Sequence, residues 1–429
     1  MSIAEIHYKF LNSTGVSTDT RTLTSSQIFF ALSGDNFNGN EYVQQALDKG
    51  AAFAVIDDKK VFDAEDKRMI LVKDVLKTLQ SLANYHKNYL GIPIIALTGS
   101  NGKTTTKNLI YLVLSQQYNV KATVGNFNNH IGVPLTLLSF GEEHDFGIVE
   151  MGANHPGEID ELCKIAEPSF GYVTNFGKAH LEGFGSVEGV VKAKSELYRY
   201  LAANRGVVFA YKNDDKQLQL TSNQERILFE SGEDDSFDYE LLAAQPKLKF
   251  RNKENIVLTH LVGAYNFTNC IAALAIGEYF GVSKEKAIRA IAGYEPDNNR
   301  SQILKTDKNI LLLDAYNANP TSIHAAIDSF VADTEHSKKV LILGDMFELG
   351  SYSAQEHQSV VELLEKNTSI QAYLVGENFN NTNSTSEHIL LFKTREDLKQ
   401  ELKNTPIDNA YILLKGSRGM ALESLVAYL

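Results

Sequence analysis

The sequence predicts an α/β protein built from three domains. Three observations support this prediction: the length of 429 residues, apolar strand-like runs that alternate with helix-like stretches, and a glycine-rich turn between a strand and a helix. At roughly 150 residues per domain, this length corresponds to about three domains. Changes in the pattern along the chain put the expected domains at residues 1–90, 91–298 and 299–429.

The composition excludes several classes of protein. Hydrophobic residues make up 43% of the chain and charged residues 22%, which are ordinary values for a folded domain and exclude a disordered chain. The 41 basic and 53 acidic side chains give a net charge of −12, so no surplus of cations is available for general binding to nucleic acid. No apolar stretch approaches the ~20 residues that a membrane-spanning helix needs. We therefore expect neither a nucleic-acid partner nor a membrane partner.

The N-terminal residues and the cysteines indicate a cytoplasmic protein. Residues 1–11 carry Glu5 and Lys9 and lack the apolar core of a signal peptide. The two cysteines, Cys163 and Cys270, do not have the spacing of a disulfide framework. Such sparse cysteine usage is typical of a reducing compartment. We expect the protein to act in the cytoplasm as a monomer.

The first and last domains show the alternation of strands and helices. Apolar runs at residues 28–32, 51–56 and 69–72, with helical spacing around 42–47, predict a small α/β unit in the first domain. The last domain repeats strand-like runs between helix-like stretches, which predicts a parallel sheet covered by helices. These runs lie at residues 310–313, 340–343, 372–375, 389–392 and 411–414.

The central domain opens on the apolar run 92–97, which we interpret as a buried strand. Residues 212–247 form the least regular part of the chain, which we interpret as a polar, peripheral excursion.

The strongest motif is a glycine-rich turn that follows this strand and leads into a helical pattern. Residues 98–106 read Thr-Gly-Ser-Asn-Gly-Lys-Thr-Thr-Thr. Such a turn surrounds a phosphate with backbone N–H groups and a helix N-terminus. Lys103 would reach the β- and γ-phosphates, and the hydroxyl of Thr104 would bind Mg²⁺. The motif departs from the usual spacing, because only two residues separate its glycines, and an ordinary capped turn is the alternative. The context favours a nucleotide loop formed by Gly99, Ser100, Asn101, Gly102, Lys103, Thr104 and Thr105.

Two further polar side chains follow predicted strands. Glu150 ends the apolar run 146–149, and His180 comes shortly after the run 171–175. Ligands bind at the carboxyl ends of strands in open α/β sheets, and Mg²⁺ prefers oxygen ligands. Glu150 is therefore predicted to bind the metal. A single histidine is more often a hydrogen-bonded structural residue, so the pattern itself leaves the role of His180 open.

One predicted helix carries a lysine on its apolar side. Residues 186–201 have apolar side chains at helical spacing, and Lys194 falls within this stripe. Lys192 lies instead on the polar face, together with Glu188, Ser195, Glu196 and Arg199. An inward lysine can extend its ammonium to water, whereas a desolvated amine has a lowered pKa and increased reactivity. The pattern alone favours, for Lys194, a side chain that extends its ammonium to water.

Polar side chains late in the central domain and at the start of the last domain allow more than one interpretation. Asn266 and Asn269 lie three residues apart in a helical pattern, so both amides can face one ligand such as an adenine edge. The alternative for Asn266 is a helix N-cap. Arg300 would by default be a solvated charge, and Asp314 ends the predicted strand 310–313.

Several motifs, taken in order, resemble those of the Mur ligase family, ATP-dependent enzymes that form peptide bonds on cell-wall precursors. They are the loop 98–106 and residues 124–134, 149–154, 175–182, 263–269, 314–320 and 343–350. The resemblance covers nearly the whole chain. It implies a first domain that binds a UDP-linked substrate, a central ATP-binding P-loop domain and a C-terminal Rossmann-like ligase domain.

The resemblance also implies roles for individual residues. It makes Lys103, Lys194, His180 and Arg300 catalytic, with ATP and Mg²⁺ as cofactors. The expected metal ligands are Thr104, Glu150, His180 and Lys194, the last as a lysine carbamylated by CO₂. Asn269 would contact adenine, Arg300 the γ-phosphate and Asp314 the ribose, while Tyr265 stands where the family often has histidine. The substrate-binding residues that it implies are Thr20, Arg21, Asn38, Asn126, Asn128, Asn129, Asn317, Asn319 and Asp345.

Within the family, the motifs at 314–320, 343–350 and 415–418 select one reaction. They resemble the member that joins D-alanyl-D-alanine to the carboxylate of UDP-N-acetylmuramoyl-tripeptide through an acyl phosphate. Two sibling activities are alternatives: addition of the third amino acid of the peptide, and synthesis of folylpolyglutamate. An alternative from another class is a P-loop nucleotide-binding regulatory protein without ligase chemistry. For Asp345, a structural role as a cap of the C-terminal sheet is the alternative to substrate binding.

Overall fold

The computed structural model describes residues 1–233, 237–253 and 255–429. Its main β-sheets follow one another along the chain and are covered by helices, so the predicted α/β class is confirmed. In residues 1–90 the helices are α1 (Ile3–Leu11), α2 (Val43–Asp48) and α3 (Val75–Leu90). The strands of this part are β1 (Val16–Ser17), β2 (Ile28–Phe30), β3 (Ser33–Gly34), β4 (Phe37–Asn38), β5 (Phe53–Ile56) and β6 (Met69–Leu71).

The first sheet is parallel, in the order β1-β2-β5-β6. The inner strands β2 and β5 and the edge strand β6 coincide with the predicted apolar runs. Helix α2 coincides with the predicted helical spacing. Strands β3 and β4 form a separate antiparallel hairpin.

The central part contains the largest set of elements. Its helices are α4 (Lys103–Leu114), α5 (Gly132–Leu137), α6 (Glu158–Ala166), α7 (Leu181–Phe184), α8 (Val187–Lys194), α9 (Glu196–Ala203), α10 (Asp215–Leu220), α11 (Tyr265–Tyr279) and α12 (Lys284–Ala292). Its strands are β7 (Ile94–Thr98), β8 (Val120–Ala122), β9 (Phe146–Glu150), β10 (Phe170–Val173), β11 (Val207–Tyr211), β12 (Arg226–Phe229), β13 (Tyr239–Ala243), β14 (Lys249–Asn252) and β15 (Asn255–Leu258). The order β12-β11-β10-β7-β9-β8 is parallel throughout, with β7 in the interior as predicted, and β13-β14-β15 form a small antiparallel sheet.

The interpretation of residues 212–247 as an irregular excursion is wrong in part. Strand β12 pairs with β11 and forms one edge of the central sheet, although residues 234–236 of this stretch lie outside the described residues. The pattern is weak because an edge strand has one paired neighbour. The ring of Phe229 is nevertheless buried against Tyr172 and Tyr211.

The predicted helix over residues 186–201 is two helices, α8 and α9, that meet at Ser195. The expectation that Ser195 and Glu196 share a polar face with Lys192 is therefore wrong, and both are buried. The Glu196 carboxylate accepts hydrogen bonds from the backbone N–H groups of Gly157 (2.8 Å) and Asp160 (3.0 Å) at the start of α6. A carboxylate at this end of a helix also complements the helix dipole.

The C-terminal part forms a second six-stranded sheet. Its helices are α13 (Pro320–Val331), α14 (Ser353–Glu365), α15 (Glu377–Asn380) and α16 (Arg395–Asn404), and its strands are β16 (Gln302–Lys305), β17 (Ile310–Asp314), β18 (Lys339–Gly344), β19 (Gln371–Val375), β20 (Ile389–Phe392) and β21 (Tyr411–Lys415). Their order is β16-β17-β21-β18-β19-β20. The five predicted strands are parallel, and the unpredicted β16 adds an antiparallel edge.

The parts of the chain share hydrophobic cores rather than meeting at polar linkers. One core joins Ile6 and Leu82 to Val133 and Val208, so α1 and α3 pack on the central part. Another joins Phe184 and other central residues to the C-terminal sheet. Both cysteines are free and buried. Among the described helices, none has the length and apolarity that a bilayer crossing requires.

Two buried histidines link the first part of the chain to the central part. The His7 Nε2 and His86 Nδ1 atoms are 3.0 Å apart, and His86 Nε2 is 3.0 Å from the carbonyl oxygen of Phe140. Because a carbonyl only accepts, Nε2–H of His86 donates to Phe140 and its Nδ1 accepts from His7. Burial lowers the pKa of both imidazoles; the neighbouring His86 lowers the pKa of His7 further, and the bond to Phe140 opposes the shift at His86.

Acid should weaken the fold through this pair of histidines. In the unfolded chain each imidazole has a pKa near 6.5, so below that pH the unfolded state binds protons that the folded state resists. Stability is lost as the pH falls, by up to about 1.4 kcal/mol per pH unit for each histidine. We expect the thermal unfolding midpoint to fall between pH 7.5 and 5.5. The fall should be smaller in His86→Gln, whose amide does not titrate, and an equal fall in both proteins would contradict this account.

Candidate active site

A cavity of about 570 Å³ lies where the carboxyl ends of the central and C-terminal sheets face each other. Such sheet edges are the usual ligand sites of open α/β folds. Sixteen of the predicted site residues line it: Ser100, Asn101, Gly102, Lys103, Thr104, Thr105, Asn126, Asn128, Asn129, Glu150, His180, Asn269, Arg300, Asp314, Asn317 and Asn319. The fold therefore brings together residues that are up to 219 positions apart in the sequence (Ser100 and Asn319).

The glycine-rich loop joins β7 to α4, as the sequence predicts. Gly99 has φ +142°, and a Cβ there would lie 2.0 Å from Thr174 Oγ1. Gly102 has φ +80°, and a Cβ there would lie 2.8 Å from Asn269 Oδ1. Both positions therefore require glycine. The first residues of helix α4 line the cavity, and the helix has no side-chain cap, so its N-terminal N–H groups are left for a ligand there.

Asn175 holds the loop in place, a role that the sequence reasoning missed. Its Oδ1 accepts from the backbone N–H of Asn101 (3.1 Å), and its Nδ2 donates to the Asn101 carbonyl (3.0 Å). The hydroxyl of Thr174 donates to the same carbonyl at 2.6 Å. The position of Asn175 just after β10, beside the loop strand, is the signal that could have revealed it.

The ammonium of Lys103 lies within the loop. Its Nζ donates to the carbonyl oxygens of Gly99 (2.7 Å) and Ser100 (3.1 Å). Burial lowers the pKa of Lys103, Glu150 opposes this shift and the charge of Arg300 adds to it, so that the pKa is about 8. Lys103 and Arg300 thus place two positive charges at this part of the cavity, which suits the phosphates of a polyanionic ligand.

Glu150 is the best-placed carboxylate for a cation. It ends β9 directly beside Leu97 of β7 and is 1% exposed. Its Oε1 accepts from Asn128 Nδ2 (2.8 Å), while the buried Oε2 has no hydrogen-bond partner among the described residues. A buried, unpartnered carboxylate oxygen is costly and fits a bound cation.

No three His, Cys, Asp or Glu side chains in the described part of the chain are arranged as a metal site. Mg²⁺ rarely uses such a cage, because it is bound by one or two carboxylates together with phosphate oxygens and water. Glu150 with the Thr104 hydroxyl is consistent with that pattern.

Lys194 is buried and Lys192 is exposed, as the helical spacing predicts for these two side chains. Lys194 is 1% exposed, and its Nζ donates to the carbonyl of Ala153 at 2.9 Å, a residue that lines the cavity. Its Nζ also lies 5.1 Å from the centre of the Phe184 ring. Burial lowers the pKa of Lys194 well below its ordinary value, and the charge of Lys103 adds to this effect. The alternative of an ammonium that extends to water is therefore wrong.

His180 faces the C-terminal part of the chain as well as the cavity. Its Nδ1 is hydrogen-bonded to the carboxylate of Glu348, and this bond holds the pKa of Glu348 below its ordinary value. The backbone of His180 is left-handed, with φ +52°. Its role as a metal ligand stays a prediction.

Asn269 is held by a network of amides and hydroxyls. Its Oδ1 accepts from Thr106 Oγ1 (3.0 Å), and its Nδ2 donates to Asn266 Oδ1 (3.0 Å). Asn266 is inside α11, and its Nδ2 donates to the Val262 carbonyl at 2.7 Å. The alternative of Asn266 as an N-cap is wrong, because Ala264 occupies that position. The predicted contact of Asn269 with adenine stays a prediction.

Arg300 and Asp314 have partners from the C-terminal part. The Arg300 guanidinium lies 3.7 Å from the centre of the Tyr316 ring, so it is not simply a solvated charge. Asp314 Oδ2 accepts from the buried Lys415 Nζ at 2.6 Å. Asn319 caps α13 and exchanges side-chain hydrogen bonds with Asn101 of the phosphate loop (2.7 and 3.4 Å).

Other predicted residues lie outside the cavity lining. Thr20 bonds to Gln45, Arg21 forms an exposed ion pair with Asp19, and Asn38 caps a short turn of helix. The buried carboxylate of Asp345 accepts hydrogen bonds from Asn378 and Phe379 at the start of α15. These bonds give Asp345 a structural role as a cap, as in the alternative to substrate binding. A role of Asp345 in substrate binding stays a prediction.

Further lining residues were not predicted as site residues. They are Asn154, Glu158, Asn175, Ser301, Tyr316, Thr321 and Ser322, among others. The hydroxyl groups of Tyr265 and Ser301 are 2.8 Å apart, and burial raises the pKa of Tyr265. Most of these residues lie within or beside the quoted motifs, so position at a strand end would have been the signal for them.

Comparison with known protein families gives matches along most of the chain. Residues 12–87 match a domain described as "Mur ligase family, catalytic domain". Residues 97–277 match the Mur ligase middle domain. Residues 299–418 match a domain described as "Mur ligase, glutamate ligase domain".

Individual relatives are similar over nearly their full length. The chain is 35% identical to UDP-N-acetylmuramoyl-tripeptide–D-alanyl-D-alanine ligase of Bacillus subtilis, over 96% of this chain and 92% of that protein. It resembles a crystal structure of MurF from Acinetobacter baumannii with a TM-score of 0.84 and 30% identity, covering 96% of this chain and 92% of that one. The MurF ligase from Thermotoga maritima in complex with ADP shares the fold, with a TM-score of 0.83, 24% identity and 97% of each chain covered.

Proposed function

This chain belongs to the Mur ligase family, and we propose on that premise that it joins D-alanyl-D-alanine to UDP-N-acetylmuramoyl-tripeptide at the expense of ATP. One observation carries the proposal. The glycine-rich loop and the uncapped N-terminus of α4 lie across one cavity from the carboxyl ends of the C-terminal sheet. A carboxylate that accepts the phosphoryl group and the phosphoryl donor can meet there. The names of the relatives support this choice of substrates.

ATP would bind with its phosphates on the loop and on α4. Backbone N–H groups at the start of α4, the Lys103 ammonium and the Arg300 guanidinium supply positive charge around them. Asn269, behind Gly102, offers an amide for the adenine. Asp314 is in reach of the same cavity, as a ribose partner requires.

Thr104 and Glu150 would hold Mg²⁺, with His180 and a carbamate on Lys194 completing the set. Bound Mg²⁺ neutralises charge on the phosphates that it contacts. The carbamate forms when the neutral Nζ of Lys194 bonds to the carbon of CO₂ and releases a proton. The low pKa and burial of Lys194 favour this neutral amine.

In the first chemical step the terminal carboxylate of the tripeptide attacks the γ-phosphorus of ATP. An acyl phosphate forms and ADP leaves. Charge on the transferring group is spread over its oxygens, and Lys103 and Arg300 stabilise it. In the second step the amine of the dipeptide attacks the acyl carbon, and the tetrahedral intermediate collapses to an amide and phosphate. The nearby asparagines Asn317 and Asn319, in the C-terminal part, are suited to orient the dipeptide.

Phosphate release tests this function directly. With ATP, Mg²⁺ and both substrates, we expect rapid release and a product with the mass of the pentapeptide precursor. Omission of either substrate should reduce release to background, because phosphate leaves only in the second step, which needs both the acyl phosphate made from the tripeptide and the amine of the dipeptide. A protein that hydrolyses ATP regardless of both substrates would be a P-loop regulator instead. Activity with a free diamino acid, or with a folate and glutamate, would identify one of the sibling ligases. The cytoplasmic, monomeric state expected from the sequence stays a prediction.

A further inference from the structure

Two residues with left-handed backbones meet between the central and C-terminal parts of the chain. His180 has φ +52° and Glu348 has φ +58°, a conformation that is uncommon outside glycine and in which asparagine, aspartate and histidine, but not glutamate, are enriched. The Nδ1 atom of His180 is hydrogen-bonded to the Glu348 carboxylate, and the backbone N–H of Glu182 donates to the Glu348 carbonyl at 3.0 Å. Such conformations persist where the surrounding contacts hold them, and they cluster at functional sites.

This contact is the centre of a docking strip, which we define as residues 178–185 of the central part and residues 348–356 of the C-terminal part. Lys178 Nζ lies 2.7 Å from the buried carboxylate of Glu356, at one end of the strip. The hydroxyl of Tyr352 donates to the Gly185 carbonyl at 3.4 Å, at the other end. The strip therefore fixes Glu348 relative to His180 from both sides.

The chemistry of the contact determines where the proton of His180 lies. A carboxylate accepts hydrogen bonds, so Nδ1 of the imidazole must carry the hydrogen. In the neutral imidazole the Nε2 atom then has a free lone pair, and His180 lines the cavity that also contains Lys103 and Glu150. Histidines that bind a metal or a reacting group generally donate their other N–H to such a carboxylate, which orients the ring.

We infer that Glu348 is a positioning residue: it comes from the C-terminal domain and sets the tautomer and direction of His180 in the active site. Docking of that domain along the strip would thereby complete the site as well as close it. The expected effect on kcat rests on the proposed function, whereas the expected effect on the tautomer of His180 does not. The pair is partly exposed, with 50% of the Glu348 side chain accessible, so its contribution to stability is small and variants should fold.

The test compares Glu348→Ala with the conservative Glu348→Gln and with Tyr352→Phe. The glutamine retains an oxygen that accepts from Nδ1. The phenylalanine removes a hydroxyl from the same docking strip without touching His180. Nitrogen-15 NMR of labelled histidine side chains reports the tautomer of each of the 11 histidines, and His180→Gln assigns the signal of interest.

We expect the Nδ1–H tautomer at His180 in the wild type, in Glu348→Gln and in Tyr352→Phe, and its loss in Glu348→Ala. The kcat of Glu348→Ala should fall about 10- to 100-fold with little change in the KM for the UDP-linked substrate, as for other residues that orient a ligating histidine. Glu348→Gln should recover much of this loss. An unchanged tautomer in Glu348→Ala, or an equal loss of kcat in Tyr352→Phe, would overturn the inference. An inactive wild type would contradict the proposed function instead, and the NMR comparison would still decide the role of Glu348.

Discussion

Replacing Lys103 with alanine is expected to reduce substrate-dependent phosphate release by about 10³-fold. The Lys103 ammonium lies inside the phosphate loop, in contact with two of its carbonyl oxygens. Among the described residues, one other lysine, Lys415, lines the cavity, and it is paired with Asp314. The charge that develops on the transferred phosphoryl group would therefore lose its nearest lysine.

The loss should be catalytic rather than structural. The Lys103 Nζ bonds to carbonyl oxygens of its own loop rather than to a distant element, so the thermal unfolding midpoint should change little. Lys164→Ala is a matched control, because it removes an exposed lysine of the same part of the chain. We would measure phosphate release, ATP affinity and thermal unfolding for both variants. If Lys103→Ala releases phosphate at a rate near that of the wild type, the assignment of Lys103 to the phosphates is wrong.

Substitution of Lys194 by alanine should nearly abolish activity, whereas Lys192→Ala should behave like the wild type. The two lysines lie two residues apart on α8, but only Lys194 points into the protein, beside Ala153 at the cavity. If its carbamate is a metal ligand, its removal should cost about 10²–10³-fold in rate, by analogy with the loss of one charge-stabilising group.

A small carboxylate can test the chemical nature of that loss. In Lys194→Ala the space left by the side chain can admit acetate, which should partly restore turnover. Acetate should have no effect on Lys192→Ala. Incubation of the wild type with ¹³C-bicarbonate should produce a carbamate carbon signal that is absent from Lys194→Ala. Loss of activity in Lys192→Ala would contradict the assignment by helical face, and a fully active Lys194→Ala would show that the carbamate has no role.

The residues that the sequence predicted most reliably are those whose role depends on local pattern. The loop 98–106 needs glycine at two positive-φ positions, and a strand and a helix must flank it, so its conformation can be predicted from a short window of sequence. The contrast between Lys192 and Lys194 likewise follows from helical periodicity within one turn. Strands β17 to β21 were predictable because buried parallel strands are continuous apolar runs.

The errors arose where distant residues decide the local structure. The helix over residues 186–201 ends at Ser195 because Glu196 turns inward to bind the N–H groups of α6, about 40 residues earlier in the chain. Strand β12 was missed because its identity depends on pairing with β11 and on the rings around Phe229. No pattern within the segment itself carries that information.

The sequence by itself determined the α/β class, the glycine-rich loop between a strand and a helix, and the apolar side of the helix on which Lys194 lies, since each depends on residues within a few positions of one another. Only the tertiary structure decided that Asn175 holds the loop, that Asp345 caps α15 and that Glu348 bonds to His180. The residues in these contacts are 74 positions apart for Asn175 and the loop, 34 for Asp345 and α15, and 168 for Glu348 and His180. Hydrogen bonds are satisfied by whichever donor or acceptor the packed fold brings within about 3 Å, and that distance is independent of separation along the chain.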